Sequence, residues 1–245
     1  MDSKLIAYHE EISQGEGYVG AEDFPLKTTW MAEVNGESLF DLMGSSNLIC
    51  TIVGVVSPAG LKMAPHGNFD PFDLGATDDP IKRLNNAAME FRLTRPTDQF
   101  KIFQEEFDQA IQNLHLLSDD SSTASAHTTK LISYDHDEGP LLLFSKFIFC
   151  AHYAPKLSFI TDAEQYPVAE NIRPFLVPMY GKYKATPIRA THLNNPMHAP
   201  INAQYLQTDI EGALVEVRFL LNRDRYAKEG LSANIYDVCI LKQRS

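Results

Sequence analysis

The stretch Gly212-Ala-Leu-Val-Glu-Val-Arg-Phe-Leu-Leu-Asn222, followed after a charged turn by Leu231-Ser-Ala-Asn-Ile-Tyr-Asp-Val-Cys-Ile-Leu-Lys242, decides the fold. Successive side chains of a strand point to opposite faces of its sheet. One face of the first segment is wholly apolar, with Val215, Val217, Phe219 and Leu221. The other face carries Glu216 and Arg218 between leucines. The pattern predicts two long strands, over 212–222 and 231–242, joined by the turn at 223–230.

This stretch resembles the end of phage-type single-stranded DNA-binding proteins with an OB fold. In that family a strand of the form G-x-x-V-x-V-x-F is followed by a turn, and a K-x-G-V-S-A-x-L-x-x-V-x-h segment, with h apolar, closes the barrel. The positions that agree are Gly212, Val217, Phe219, Gly230, Ser232 and Ala233, whereas Leu231 replaces a usual valine. The run from Asn195 to Asn202 resembles the family's proline-rich approach to that glycine. Several single-strand binders end in an acidic tail that recruits partners; the last residues here, Lys242-Gln-Arg-Ser, depart from that pattern, so the resemblance does not extend to tail-mediated recruitment.

The fold expected from the resemblance is mainly β (α+β): an OB-like, partly open barrel with one packed helix and long loop insertions. We expect a single domain over 1–245, with insertions at 57–80 and 117–139. The helix is predicted at 98–116, after Thr97 as N-cap. One apolar stripe at helical spacing supports it, formed by Phe100, Phe103, Phe107, Ile111 and Leu114.

Other strands are predicted by short apolar runs and turn residues. Thr28 to Val34 and the residues after Asn35-Gly36 read as a hairpin. The run from Leu48 to Val56 reads as a buried strand, in which Gly54 predicts a bulge or bend. The remaining strand predictions are 4–12, 141–153, 157–161, 173–180 and 186–192. A helix from Asp79 through Phe91 competes with a strand at 88–93.

The charge of the chain is unevenly distributed. The net charge is −11, which by itself opposes binding to a polyanion. Residues 1–145 carry a net charge of −14, whereas residues 146–245 carry a net charge of +3. Because the local field matters more than the total for a charged ligand, a nucleic-acid surface is expected in the last 100 residues.

The composition is that of an ordinary globular protein. Three cysteines, Cys50, Cys150 and Cys239, lie far apart in apolar surroundings and predict buried free thiols in a reducing compartment. The N-terminus lacks the basic and apolar regions of a signal peptide, and the longest apolar run is interrupted by Ser145 and Lys146. An intracellular protein, cytoplasmic or nuclear, without a membrane span is expected.

No enzyme motif is present: the sequence has no Gly-rich phosphate loop, no GxSxG and no HExxH. We therefore expect no catalytic residues, no metal and no cofactor. Three groups contain metal-ligating residue types, namely His66 with Asp70 and Asp73, Asp135 to Glu138, and His192 with His198. We interpret the first two as turns and the third as part of a polar loop.

Basic and aromatic residues alternate in two segments, 144–159 and 173–189. Single-strand binders need cations that follow the phosphates and flat rings that stack on bases. The candidate nucleic-acid-binding residues are Tyr180, Lys182, Tyr183, Lys184, Arg189, Lys146, Lys156, Arg218, Arg223 and Arg225. Gly181 makes a core strand unfavourable at the centre of this set.

The function predicted from these residues is sequence-tolerant binding of single-stranded DNA during replication or recombination, without turnover. RNA as the ligand and self-association into a homo-oligomer stay open. Two rivals are a structural or protein-interaction β-protein, such as a viral assembly component, and an enzyme using His66, Asp70 and Asp73.

Overall fold

The computed structural model describes residues 3–33, 36–44, 46–72, 83–84, 86–118, 131–151, 161–195, 199–223 and 230–244. The strands, numbered in chain order, are β1 (Thr28–Glu33), β2 (Gly36–Asp41), β3 (Ile49–Lys62), β4 (Ala88–Thr94), β5 (Ile132–Asp135), β6 (Gly139–Phe147), β7 (Phe149–Ala151), β8 (Thr161–Asp162), β9 (Tyr183–Ala185), β10 (Arg189–His192), β11 (Leu214–Arg223) and β12 (Leu231–Lys242). The helices are α1 (Ser3–Ser13), α2 (Lys101–Ser118), α3 (Arg173–Leu176) and α4 (Leu206–Ile210).

The C-terminal hairpin is confirmed. β11 and β12 pair antiparallel from Leu214 opposite Lys242 to Arg223 opposite Leu231. The apolar face of β11 is fully buried, as its alternation predicted, with Val215, Val217, Phe219 and Leu221 in the core. Burying four such side chains contributes about 1.5–3 kcal/mol each to folding relative to exposure.

The two strands of this hairpin and β3, β4 and β6 close into a five-stranded ring. β11 pairs with β3, β3 with β4, and β4 with β6, all antiparallel. β6 then runs parallel to β12, but only through Phe144 opposite Ala233 and Ser145 opposite Asn234. Because this last pairing is so short, the ring is partly open. A partly open five-stranded ring with a packed helix is the OB-like, mainly β architecture that was predicted.

The predicted helix at 98–116 is confirmed as a short 3-10 turn at Asp98–Phe100 followed by α2. Its whole apolar stripe is buried, and α2 packs against β3. At Gly54 the structure shows close packing: a Cβ there would lie 3.1 Å from both Leu93 and the ring of Phe107. The structure shows no bulge at Gly54, since β3 pairs with β11 there without a register shift and the shift in the β3–β4 pairing lies later, between Ser57 and Lys62.

Two predicted strands are helices. Residues 4–12 belong to α1, because Leu5, Tyr8 and Ile12 recur at helical spacing and pack on one face. Residues 173–180 form α3 and a 3-10 turn at Val177–Met179. Proline occupies the first turn of each, a position where a helix tolerates it and a central strand would lose a hydrogen bond.

The remaining predictions divide as follows. The hairpin of β1 and β2 is confirmed, and a strand, not a helix, occupies residues 88–94. The predicted strand 141–153 breaks at Ile148 into β6 and β7. β3 continues to Lys62 and β5 begins at Ile132, so strands occupy part of both predicted insertions. The prediction at 157–160 lies outside the described residues.

Candidate nucleic-acid interface

A β-bulge in β12 creates the centre of the candidate interface. The register passes from Ile235 opposite Phe219 to Asp237 opposite Arg218, so Tyr236 is an extra residue on β12. Ile235 and Val238 are buried, whereas Tyr236 is 45% exposed and Asp237 is partly exposed. A bulge interrupts the alternation of a strand and re-aims its side chains. Here it directs two successive side chains away from the core.

Arg218 connects the two bulge side chains. Its Cζ lies 5.4 Å from the centre of the Tyr236 ring, and its Nη1 donates a hydrogen bond of 3.1 Å to Oδ2 of Asp237. A guanidinium near an aromatic face is held by the quadrupole of the ring. We call the exposed ring, with this guanidinium against it, the platform of Arg218 and Tyr236.

Lys146 and Arg189 join Arg218 around the same carboxylate. Arg189 lies opposite Asp237 in the parallel pairing of β10 and β12. Burial raises the pKa of Asp237, and the charges of Arg218, Arg189 and Lys146 act to lower it. Burial lowers the pKa of Lys146, against the effect of Asp237. Three of the predicted cations, far apart in sequence, therefore converge on one site.

The segment around Gly181 forms a second part of the surface. Gly181 has φ +70° and lies in a turn, with Lys182 exposed beside it. Lys184 on β9 forms an ion pair with Asp162 on β8. Tyr180 and Tyr183 are half-buried against the core, so their rings are partly structural.

Cys150 connects the two parts. Its Sγ donates a hydrogen bond of 3.6 Å to the backbone oxygen of Lys184. Lys146 in turn acts on the pKa of the Cys150 thiol, lowering it against the larger effect of burial. Cys150 therefore lies between Lys146 on β6 and Lys184 on β9.

Arg223 is engaged elsewhere. Its Nε donates a hydrogen bond of 2.7 Å to Glu37 on β2, and its Cζ lies 4.7 Å from the centre of the Trp30 ring. Its side chain is only 16% exposed. The structure therefore places Arg223 in a bridge between β11 and β2. The candidates Lys156 and Arg225 lie outside the described residues.

Tyr236 was missed by the sequence analysis, although one irregularity marks it. The apolar alternation of Ala233 and Ile235 resumes at Val238, one residue late, which is the pattern of a bulge. Phe147, at the end of β6, is 60% exposed and is a further available ring. Of the other aromatic residues of that segment, Phe144 and Phe149 are core residues, whereas Tyr153 and Phe159 lie outside the described residues.

A small pocket lies beside the bulge on the outer side of the sheet. It has a volume of about 210 Å³, and its lining includes Tyr8 from α1 together with Arg189, Glu216, Arg218 and Asp237. Tyr8 donates a hydrogen bond to Glu216, which is almost completely buried. Burial raises the pKa of Glu216, and the hydrogen bond from Tyr8 acts to lower it.

The polar groups weighed as metal sites have local roles in the described part of the chain. Oδ1 of Asp70 accepts a hydrogen bond from the backbone N–H of Phe72. Asp135 accepts from the N–H groups of Asp137 and Glu138, which lowers its pKa. Across the described residues no group of three or more His, Cys, Asp or Glu side chains is arranged to hold a metal ion. Asp73 and His198 lie outside those residues.

Within the same described ranges, no helix is both long and apolar enough to span a membrane.

Comparisons with known proteins give structural likeness only. No family model and no curated protein matches the chain. The single-stranded DNA-binding protein gp2.5 of bacteriophage T7 is similar over 80% of this chain and 93% of its own, with 11% identity and a TM-score of 0.41. The single-stranded DNA-binding protein of bacteriophage Enc34 covers 89% of this chain and 92% of its own, with 11% identity and a TM-score of 0.42.

A structure of the Enc34 protein in complex with single-stranded DNA is similar over 89% of this chain and 97% of its own, with 13% identity and a TM-score of 0.35. Because all three TM-scores are below 0.5, we base the function on the residues of this chain alone.

Proposed function

We propose that the chain binds single-stranded DNA with broad sequence tolerance and without turnover. The observation that carries this proposal is the platform of Arg218 and Tyr236 at the β12 bulge, with Lys146 and Arg189 beside it. Bases stack on aromatic rings and on guanidinium planes, and neighbouring cations neutralise the phosphates. The arrangement supplies both kinds of contact within one exposed region.

A single strand suits this platform better than a duplex. The rings of Tyr236 and Phe147 are exposed on the protein surface, and a base can stack on them only when it is unpaired and turned outward. Stacking accepts every base, because every base has a flat face. Tolerance of sequence therefore follows from the contact itself.

The second part of the surface extends the binding path. Lys182 and Lys184 would follow the phosphates beyond the bulge, and Tyr180 and Tyr183 would offer the exposed edges of their rings. Lys156 and Arg225 stay in the proposed set from the sequence alone. Arg223 contributes to the proposed interface only by fixing β11 against β2.

We further propose that this binding serves replication or recombination inside the cell. The 245 residues would act as a single domain, and copies of the chain would self-associate along the DNA strand. RNA is the alternative ligand, and the same titration with oligo-rU distinguishes it.

The proposal is tested by fluorescence anisotropy with a labelled oligo-dT of about 30 nucleotides, longer than the ~4–16 nucleotides that one OB fold covers. Binding should be micromolar or tighter and should weaken steeply with salt. Tyr236→Ala should weaken it roughly five- to hundredfold, since stacking is worth about 1–3 kcal/mol per base. Arg218→Ala should weaken it as well and reduce its dependence on salt.

Two matched control variants keep this test specific. Arg95→Ala removes a half-exposed arginine that pairs with Asp108 on α2, and Tyr134→Ala removes an exposed ring near His115. Both should leave the affinity unchanged. Absence of binding even at low salt would remove the proposed function.

One observation favours the rival function of a protein-interaction module. Four large apolar side chains are strongly exposed around β1 and β2: Leu26, Met31, Leu42 and Met43. Exposed apolar patches mark interaction sites. If the chain is an assembly component, light scattering will show self-assembly that persists at high salt, and oligo-dT will not bind.

A further inference from the structure

β1 is an open edge of the sheet. Within the described residues, β1 pairs with β2 on one side and with no strand on the other. A free edge can pair with another chain, so natural edge strands are usually blunted by proline, by charges or by a bulge. β1 contains no proline, its register with β2 has no shift, and its one charge, Glu33, lies at its end. Its edge is therefore suited to pairing.

The hydrogen bonds of the β1–β2 hairpin determine which backbone groups face this edge. The backbone N–H of Leu42 donates to the oxygen of Lys27 at 3.0 Å, in the same register as the hairpin. In an antiparallel pair every second residue bonds to the partner strand, so the residues of β1 at even distances from Lys27 bond to β2. Trp30 and Ala32, at odd distances, direct their N–H and C=O groups to the open edge.

An apolar surface adjoins the open edge. Four exposed side chains form it: Leu26, Met31, Leu42 and Met43. The sulfur of Met31 lies 3.4 Å from the position that a Cβ would take at Gly44, directly after Met43. The edge thus offers backbone hydrogen bonds, and the neighbouring face offers the kind of apolar surface that marks an interaction site.

The charges at the two ends of β1 favour a second copy of this chain as the partner. Lys27 precedes the strand and Glu33 ends it. In an antiparallel pair of β1 strands, Lys27 of each copy lies near Glu33 of the other, whereas a parallel pair would bring like charges together. Lys27 already pairs with Asp23, but both side chains are about half-exposed, and so exposed a pair is exchanged at little cost.

We propose that β1 pairs antiparallel with β1 of a second copy and so joins two sheets into one. The inference names the surface for the self-association proposed above, and it holds without DNA. A two-fold contact of this kind is closed, so it yields a dimer and not a filament. The platform of Arg218 and Tyr236 lies on β11 and β12, so the contact uses none of its residues.

Sedimentation velocity of the full chain without DNA tests the proposal over about 1–100 µM, because dimerisation depends on protomer concentration. We expect a species of twice the chain mass. It should persist at high salt, since salt screens exposed charges and does not weaken apolar contacts. A chain that stays monomeric at every concentration overturns the proposal and leaves the DNA-binding function intact.

Two variants and a matched control locate the contact. Ala32→Pro removes an N–H group that faces the open edge and no bond to β2, so the hairpin should tolerate it. It should weaken the dimer roughly five- to hundredfold, through one hydrogen bond lost in each copy. Met31→Lys should also weaken it, because it places a charge on the apolar face. Leu116→Lys makes the same kind of change at an exposed leucine of α2 and should leave the dimer unchanged.

An exchange of charges tests the antiparallel direction. Lys27→Glu and Glu33→Lys should each weaken the dimer by roughly two- to thirtyfold, and the double variant should restore it. Circular dichroism and unfolding curves exclude loss of the fold in each variant. A dimer that persists in Ala32→Pro and Met31→Lys, or a double variant as weak as the single ones, overturns the pairing. A dimer with these properties in a chain that does not bind oligo-dT supports it and removes only the DNA-binding function.

Discussion

A single extra residue, Tyr236, determines the chemistry of the candidate interface. Without it, regular alternation after Ile235 would place only one of Tyr236 and Asp237 on the outer face of β12. With it, both side chains contact the guanidinium of Arg218, Asp237 through a hydrogen bond and Tyr236 through its ring. At Gly54 a single residue likewise allows the close approach of α2 to β3.

Gly54→Val should destabilise the chain by about 1–3 kcal/mol, the usual cost of overpacking a filled core. The added atoms would meet Leu93 and Phe107, which are both buried. Urea unfolding followed by circular dichroism measures the loss. Gly139→Ala is the comparison: nothing lies near its Cβ, and only its φ of +77° opposes the change. A Gly54→Val chain as stable as the wild type would show that α2 does not pack closely here.

At the scale of elements, short-range patterns were predictable and pairings between distant segments were not. The β11–β12 hairpin and α2 follow from alternation and from a helical stripe, both visible within 20 or so residues. α1 was mistaken for a strand because its apolar residues are few and its packing partners lie on β11 and α2. Lys146, Arg189 and Arg218 were individually predicted, yet their convergence on Asp237 depends on the order of β6, β12, β10 and β11 in the sheet.

α1 also covers a buried carboxylate of the sheet, that of Glu216. Glu216 on β11 accepts from Tyr8 of α1, and burial holds its pKa above the ordinary value. Between the unfolded and the folded pKa, the folded chain binds more protons than the unfolded one. The free energy of unfolding therefore falls as the pH rises through this window, from about pH 4.5 upward, and stays lower above it.

Glu216→Gln should remove this fall and raise the melting temperature at neutral pH. The amide oxygen still accepts from Tyr8, and each unit by which the pKa is raised corresponds to about 1.4 kcal/mol. Thermal unfolding between about pH 4 and pH 8 measures it, with the exposed Glu211→Gln as the control for loss of one charge. A wild-type chain whose stability rises steadily over that range, with Glu216→Gln parallel to it, would contradict this account.

At the scale of the whole molecule, an acidic chain carries a local cationic path. The first 145 residues hold a net charge of −14, so the field of most of the chain opposes a polyanion. The path of Lys146, Lys182, Lys184, Arg189 and Arg218 works against that field at short range. Salt screens both the repulsion of the ligand by distant acidic residues and its attraction to the cations, with a Debye length of about 10 Å at 0.1 M.

The slope of log K against log salt should report how many phosphates this path contacts. With roughly 0.7 of slope per phosphate for a single strand, five cations predict a slope no steeper than about −3 to −4 in a plot of log K against log salt, since Arg218 and Lys184 are already paired with Asp237 and Asp162. Lys182→Ala should reduce the slope by about 0.7, because Lys182 is exposed and its loss disturbs no packing. Anisotropy titrations at four salt concentrations provide the slope. An unchanged slope would place Lys182 outside the path.

The ring of strands is joined between β6 and β12 by only two residue pairs. Such a short seam is the place where local opening costs least, and amide hydrogens on its two sides would exchange with solvent together. Lys146 lies on β6, on one side of the seam. Arg218 lies on β11, which pairs with β12 on the other side. A strand of DNA bound by both side chains would cross-link the two sides of the seam, so ligand binding would slow the local opening of the ring.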